Sequence, residues 1–240
     1  MDTTFMQQMI GEFIGTLILV LLGNGVVAGD VLNKTKSKAT GWVLITFGWG
    51  FAVTMGVYVS GYLSPAHLNP AVTIGMATAG AITWDLVLPY IAAQMLGAIV
   101  GAMLVYLHYK PHYDASSEDP DGMLATFSTA PGIRDTPSNV FGEALGTFVL
   151  VFALLSFGAH IFTDGLNPLV VGVLITSIGM SLGGTTGYAI NPARDLGPRI
   201  AHQLLPIKNK RDSDWGYSWI PVVGPIIGAV VAAVLFNLIP

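Results

Sequence analysis

Asn69-Pro70-Ala71 and Asn191-Pro192-Ala193 are the residues of this sequence whose type and repetition could do chemistry. Each opens a helix, because an Asn cap accepts the orphan N–H groups of the first turn and a Pro at the first helical position gives up no needed donor. Read alone, each Asn is a cap; beside a pore, its side-chain N–H groups would also be donors to a passing solute. Arg194 comes three residues after Asn191, so the two share one helix face. A cation there opposes the positive end of the helix dipole, which marks it for a role other than helix stability. The chemistry offered is hydrogen bonding to something that passes. No nucleophile, base and orienter are grouped as an enzyme would need. His108 and His112 near Asp114 have ligand-like spacing but sit at a loop edge, so neither a metal nor any other cofactor is expected.

The sequence around these residues is too apolar for a soluble domain. Of its 240 residues 52% are hydrophobic and only 10% charged, which leaves too little polar surface to face water all round. No Asp, Glu, Lys or Arg occurs between Lys38 and Asp85, between Asp164 and Arg194, or from Trp215 onward, and such runs exceed the ~20 residues of one membrane span. Met1 to Met9 lacks a basic region and a small-residue cleavage site, so Ile10 onward is expected to be a retained span. The absence of cysteine excludes disulfides and thiolate metal sites. A net charge of −4 spread over loops points to no nucleic-acid partner.

Spans are expected at about 5–28, 41–59 and 86–106. Between the second and third, Gly61 to Leu68 is too polar and kinked for a helix, while Pro70 to Ala79 is apolar but only about ten residues long. At 1.5 Å per residue that is roughly 15 Å, half of a ~30 Å hydrocarbon core. After a polar loop, 107–139, the pattern begins again. Gly142-Glu143-Ala144-Leu145-Gly146-Thr147 echoes Gly11-Glu12-Phe13-Ile14-Gly15-Thr16, a fourth span ends near Phe162, a fifth covers about 168–182, a second half-helix follows Asn191, and a sixth covers about 217–238. An odd number of full spans in each half makes the second half enter from the opposite side, an inverted repeat of about 5–106 and 140–238 within one domain, 1–240. The two half-helices can then meet N-terminus to N-terminus at mid-membrane. Their approach loops carry unpaired carbonyls that are tolerable only beside a water-filled cavity. Gly-x-x-x-Gly pairs at 11/15, 97/101, 142/146, 179/183 and 224/228 predict close helix contacts. Trp42, Trp84, Trp215 and Trp219 fit an interfacial belt.

The doubled Asn-Pro-Ala motif, the approach Ala66-His67-Leu68-Asn69, the paired Glu12 and Glu143, and Asn191-Pro192-Ala193-Arg194-Asp195 together resemble the aquaporin superfamily from Phe5 to Leu238. Asp195, Arg199 after Gly197-Pro198, and Pro221-Val222 resemble its glycerol-facilitator branch. The resemblance implies an all-α membrane protein, a right-handed bundle of six transmembrane helices and two half-helices. It implies a selectivity filter of Trp49, Gly179, Tyr188 and Arg194, with Gly179 leaving width for a polyol. Carbonyls of Ala66, His67, Leu68, Gly187, Ala189 and Ile190 would line the pore, and Glu12 and Glu143 would accept from loop N–H groups. It implies a homotetramer in the lipid bilayer of the cell membrane, with a pore in each subunit and both termini in the cytoplasm. Three positions depart from the branch. Tyr188 replaces its usual Phe and adds a hydroxyl, Pro65 replaces a Gly, and Ala130 stands where an aromatic residue is expected.

The expected function is a passive channel for glycerol-like neutral solutes and water, with dihydroxyacetone, undissociated lactic acid and urea as related candidates. Two half-helix dipoles and Arg194 would repel cations and protons. The alternative is an ion-coupled secondary transporter, which shares inverted repeats and broken helices. A coupling site would need titratable groups at the broken helices, where this sequence has Asn, Pro, Ala and Arg. One feature opposes the implied orientation: loops with Lys34, Lys36 and Lys38 and with Lys208, Lys210 and Arg211 would face outward, against the positive-inside tendency.

Overall fold

Thr4 starts the first helix with a reciprocal pair of bonds, its hydroxyl accepting from the Gln7 N–H while the Gln7 side chain accepts from the Thr4 N–H. The computed structural model describes residues 3–239, so Met1 and Asp2 of the segment read above as lacking signal-peptide features lie outside the described residues. In chain order the helices are α1 (Phe5–Val31), α2 (Trp42–Ser60), α3 (Pro70–Thr78), α4 (Val87–Ala115), α5 (Pro120–Ala125), α6 (Thr136–Gly158), α7 (Asn167–Leu182), α8 (Pro192–Leu204) and α9 (Ile220–Asn237). Among the described residues there is no strand. Five helices, α1, α2, α4, α6 and α9, are long and apolar enough to cross a membrane, while α7 is apolar and 16 residues long, about 24 Å. Large apolar side chains such as Val43, Leu88, Leu107 and Phe141 stay exposed on the bundle, as a lipid-facing surface requires.

Two stretches differ from the sequence expectation. The third span runs nine residues beyond Tyr106, to Ala115, with Pro111 in its last turns. The polar loop 107–139 is therefore largely ordered: it contains the end of α4, all of α5 and the first turn of α6, which Asp135 caps through the Ser138 N–H. Local capping by Asp119 and Asp135, each followed by a Pro in the first helical turn, outweighs the high Ser, Asp and Pro content that marks a loop.

Packing explains the glycines, though not all in the way their spacing predicts. A Cβ at Gly101 would lie 2.7 Å from the Leu17 carbonyl oxygen and one at Gly224 3.0 Å from that of Val140, while Gly97 and Gly228 press on the backbones of Phe13 and Ala144. Those two pairs join α4 to α1 and α9 to α6 at backbone distance. The pairs 11/15 and 142/146 instead face the re-entrant loops: a Cβ at Gly11 would meet Ser64 at 2.8 Å, and one at Gly146 would meet Ile190 at 3.0 Å. α3 packs against α9 and α8 against α4, so each half-helix lies on a span from the far part of the chain.

Candidate functional site

The re-entrant loops owe their shape to alternating backbone handedness. Ala66 and Leu68 have φ of 54° and 52°, and Tyr188 and Ile190 have φ of 38° and 42°, a left-handed conformation that costs non-glycine residues on the order of 1–3 kcal/mol each. Two buried carboxylates hold them. Glu12 accepts from His67 N–H at 2.9 Å and Leu68 N–H at 2.8 Å, and also from the Ser64 hydroxyl and the Gln94 amide. Glu143 accepts from Ala189 N–H at 3.0 Å and Ile190 N–H at 2.8 Å. Both carboxylates are fully buried and committed to N–H donors, which is a positioning role. Neither faces the cavity described below as a proton relay would.

The two half-helices meet cap to cap. Asn69 Oδ1 accepts from Ala71 and Val72 N–H, and Asn191 Oδ1 from Ala193 and Arg194 N–H, so each oxygen serves its own helix. One N–H of each amide crosses over: Asn69 Nδ2 donates to the Ile190 carbonyl and Asn191 Nδ2 to the Leu68 carbonyl, both at 2.8 Å. An amide has two N–H donors, so each Asn keeps one for the cavity both side chains line. The crossed bonds amend the expectation for the loops. The carbonyls of Leu68 and Ile190 are already engaged, and Gly187 lies away from the cavity with Thr129 3.2 Å from where its Cβ would be. Ala66, His67 and Ala189 do line it, and their carbonyls accept no bond from the described residues.

That cavity has a volume of about 750 Å³ and runs from Trp49, Tyr188 and Arg194, past the two Asn caps, to the loop His160–Gly165 at the other end of the bundle. At its Trp49 end the Arg194 guanidinium lies over the Trp49 ring, 4.0 Å from the ring centre, a cation–π contact. None of its five side-chain N–H donors bonds to the described residues, and the side chain lines the cavity. The neighbouring Asp195 is turned the other way. Its Oδ2 accepts from the N–H and hydroxyl of Thr129, both at 2.7 Å, and its Oδ1 from Arg199 at 2.9 Å. Arg199, fully buried, also donates to the carbonyls of Thr129, Ser213 and Asp214. This pair fastens the 126–132 segment and the 206–216 loop onto α8. In turn Gly132 N–H donates to Thr185 O at 2.9 Å, laying that segment over the second re-entrant loop.

Two filter expectations need correction. Gly179 does not line the cavity: a Cβ there would lie 2.7 Å from Tyr188 Cζ and 2.9 Å from Thr46, so its bare face is filled by the Tyr188 ring. The width it provides is room for that ring to sit back. The Tyr188 hydroxyl, expected to be a polar handle in the filter, is buried and has no hydrogen-bond partner among the described residues. The cavity meets the ring and not the oxygen.

Trp42 was assigned to an interfacial belt, and the structure gives it a further contact. Its indole N–H donates to the Gly179 carbonyl at 3.0 Å, and its ring meets Tyr188 edge-on at 5.7 Å. The signal was available in the spacing, since Trp42 precedes Trp49 by two helical turns and so shares its face of α2. Thr129 carried no such signal, because its partner Asp195 is 66 residues away.

The description "Major intrinsic protein" belongs to the family model that matches residues 1–236. Among curated proteins, the chain is 61% identical over 233 residues to the glycerol uptake facilitator protein 3 of Lactiplantibacillus plantarum, covering 97% of each. It is also 61% identical to the glycerol uptake facilitator protein of Streptococcus pneumoniae, covering 97% of this chain and 99% of that one. Among solved structures it matches the aquaglyceroporin from Plasmodium falciparum with a TM-score of 0.89 and 32% identity, covering 98% of this chain and 97% of that chain.

Proposed function

Because the chain belongs to the major intrinsic protein family, we propose that it is a passive membrane channel for glycerol and related small neutral solutes, and for water. The observation that carries this reading is the chemistry of the Trp49 end of the cavity. Trp49 and the Tyr188 ring form an apolar corner, and the Arg194 guanidinium, whose donors bond to none of the described residues, lies over the Trp49 ring, with Ala189 also lining the cavity. A polyol has a carbon edge and a hydroxyl edge, and the two walls match them. Further along, the remaining N–H of Asn69 and of Asn191 donates to a solute oxygen where the two helix N-termini converge, so a cation meets two positive dipole ends and the Arg194 charge.

The single domain is read as two inverted repeats, about 5–106 and 140–238, assembled as a homotetramer in the cell membrane with one pore per subunit. Both termini are read as cytoplasmic, and this is tested by labelling an N-terminal tag in intact cells. All ten Lys and Arg lie in α8 or at the end of the bundle where α1 stops and α2 starts, so labelling from outside would reverse the orientation.

The channel reading is tested in vesicles containing the purified protein. Glycerol flux is expected to rise linearly with its gradient, to carry no current and to ignore imposed proton or sodium gradients. Uphill accumulation driven by either ion would replace the channel with a coupled transporter. In tetramers mixed from active and blocked subunits, flux is expected to fall in proportion to the blocked fraction; a collapse caused by one blocked subunit would place the path between subunits.

A further inference from the structure

Tyr188 is held at the Trp49 end of the cavity by shape alone. It sits in left-handed backbone at φ 38°, and its hydroxyl reaches no partner among the described residues, so no polar bond fixes the ring's position. What surrounds it away from the cavity is a seat made by two helices. From α7, Gly179 and Gly183 supply bare backbone: a Cβ at Gly183 would lie 2.5 Å from Tyr188 Cδ1 and 2.9 Å from Trp42 Cζ2. The Gly-x-x-x-Gly spacing at 179/183 thus receives two aromatic rings. From α2, the first residue, Trp42, closes the seat with its ring in T-shaped contact with Tyr188 and locks it to α7 by the indole bond to the Gly179 carbonyl. Trp42 does not line the cavity and is 38% exposed at the bundle surface, so no solute in the pore touches it.

We propose that Trp42 is a positioning residue that sets the largest solute the channel passes, by keeping the Tyr188 ring forward against the passage that Trp49 and Arg194 bound. The inference rests on the channel reading given above. Its physical basis is close packing: a ring with no polar anchor moves into any space opened behind it, and a void the size of an indole gives Tyr188 room to retreat from the cavity. The class of solute affected is therefore linear polyols longer than three carbons, whose carbon edge runs along the Tyr188 face. Water and glycerol, which already fit, gain little.

The test is stopped-flow light scattering on vesicles carrying wild type, Trp42→Ala or Trp42→Phe, with gradients of water, glycerol and the four-carbon polyol erythritol in parallel. The readout is the erythritol-to-glycerol permeability ratio, which cancels differences in how much folded protein each preparation holds and which a general loss of stability does not move. For Trp42→Ala the ratio is expected to rise about 5-fold or more, a modest part of what fit to one extra carbon controls in binding sites. For Trp42→Phe, which keeps an aromatic edge but is smaller and lacks the N–H donor, a smaller rise in the same direction is expected. A wild-type ratio in a Trp42→Ala protein that conducts glycerol overturns the proposal. If Trp42→Ala does not fold, a wild-type ratio in Trp42→Phe overturns it instead. Wild-type vesicles that pass glycerol no faster than empty ones would contradict the channel reading itself, so the two failures are distinguishable.

Discussion

Gly179→His is expected to lower glycerol permeability by about 5- to 150-fold while water permeability falls far less, the equivalent of roughly 1–3 kcal/mol in the transit barrier. The cause is indirect. The Gly179 α-carbon faces the Tyr188 ring, and even a single Cβ would come within 2.7 Å of it, so an imidazole drives the ring out of its seat and into the passage. Glycerol must slide its carbon edge past that ring and hold hydroxyl contacts to Arg194 at the same time, whereas water needs only a narrow path. Tyr188→Phe is the control. The hydroxyl it removes is buried and unpartnered, so the ranking of solutes is expected to stay as in wild type and the fold to be unharmed or slightly strengthened. Parallel water and glycerol gradients on vesicles decide the matter. Equal losses of both permeabilities in folded Gly179→His protein, or none, would mean that the ring does not form the selective wall.

Arg199→Leu is expected to destabilise the protein by about 3–5 kcal/mol, because it removes one partner of a fully buried ion pair and leaves Asp195 charged without its cation. It also strips the donor from the carbonyls of Thr129, Ser213 and Asp214. Those contacts tie two loops to α8, so the segment around Thr129 should become cleavable by protease before the spans unfold. Asp195→Asn combined with Arg199→Leu removes the uncompensated charge and is expected to recover part of the loss. Thermal unfolding of the purified proteins in detergent, with digestion in parallel, gives both quantities. A midpoint for Arg199→Leu indistinguishable from wild type would show that the pair contributes nothing to the fold.

The comparison of these two sites shows where sequence reasoning reaches and where it stops. The half-helices were legible from Asn69-Pro70 and Asn191-Pro192, since capping is a local interaction: the bond from Ala71 N–H to Asn69 Oδ1 spans two residues. The spans were legible because water excludes a long apolar run whatever surrounds it. The end of α4 was not, because Tyr113 is ordered by Thr126, the C-cap of the next helix, and Ser116 by Asn33, 83 residues away.

At the Trp49 end of the cavity the composition of the wall was decided by residue type, with Trp49, Tyr188 and Arg194 each beside the cavity in the folded chain. What the sequence by itself determined was which rings and which cation are available. Only the tertiary structure decided that Gly179 serves Tyr188 and not the solute, that the Tyr188 oxygen is hidden, that Leu68 and Ile190 lend their carbonyls to the opposite Asn, and that Trp42 reaches inward. The reason is common to all four. Each depends on which atom occupies the few ångströms beside a given group. In a close-packed interior the occupant comes from a different helix or loop, brought there by folding and unmarked by any local spacing.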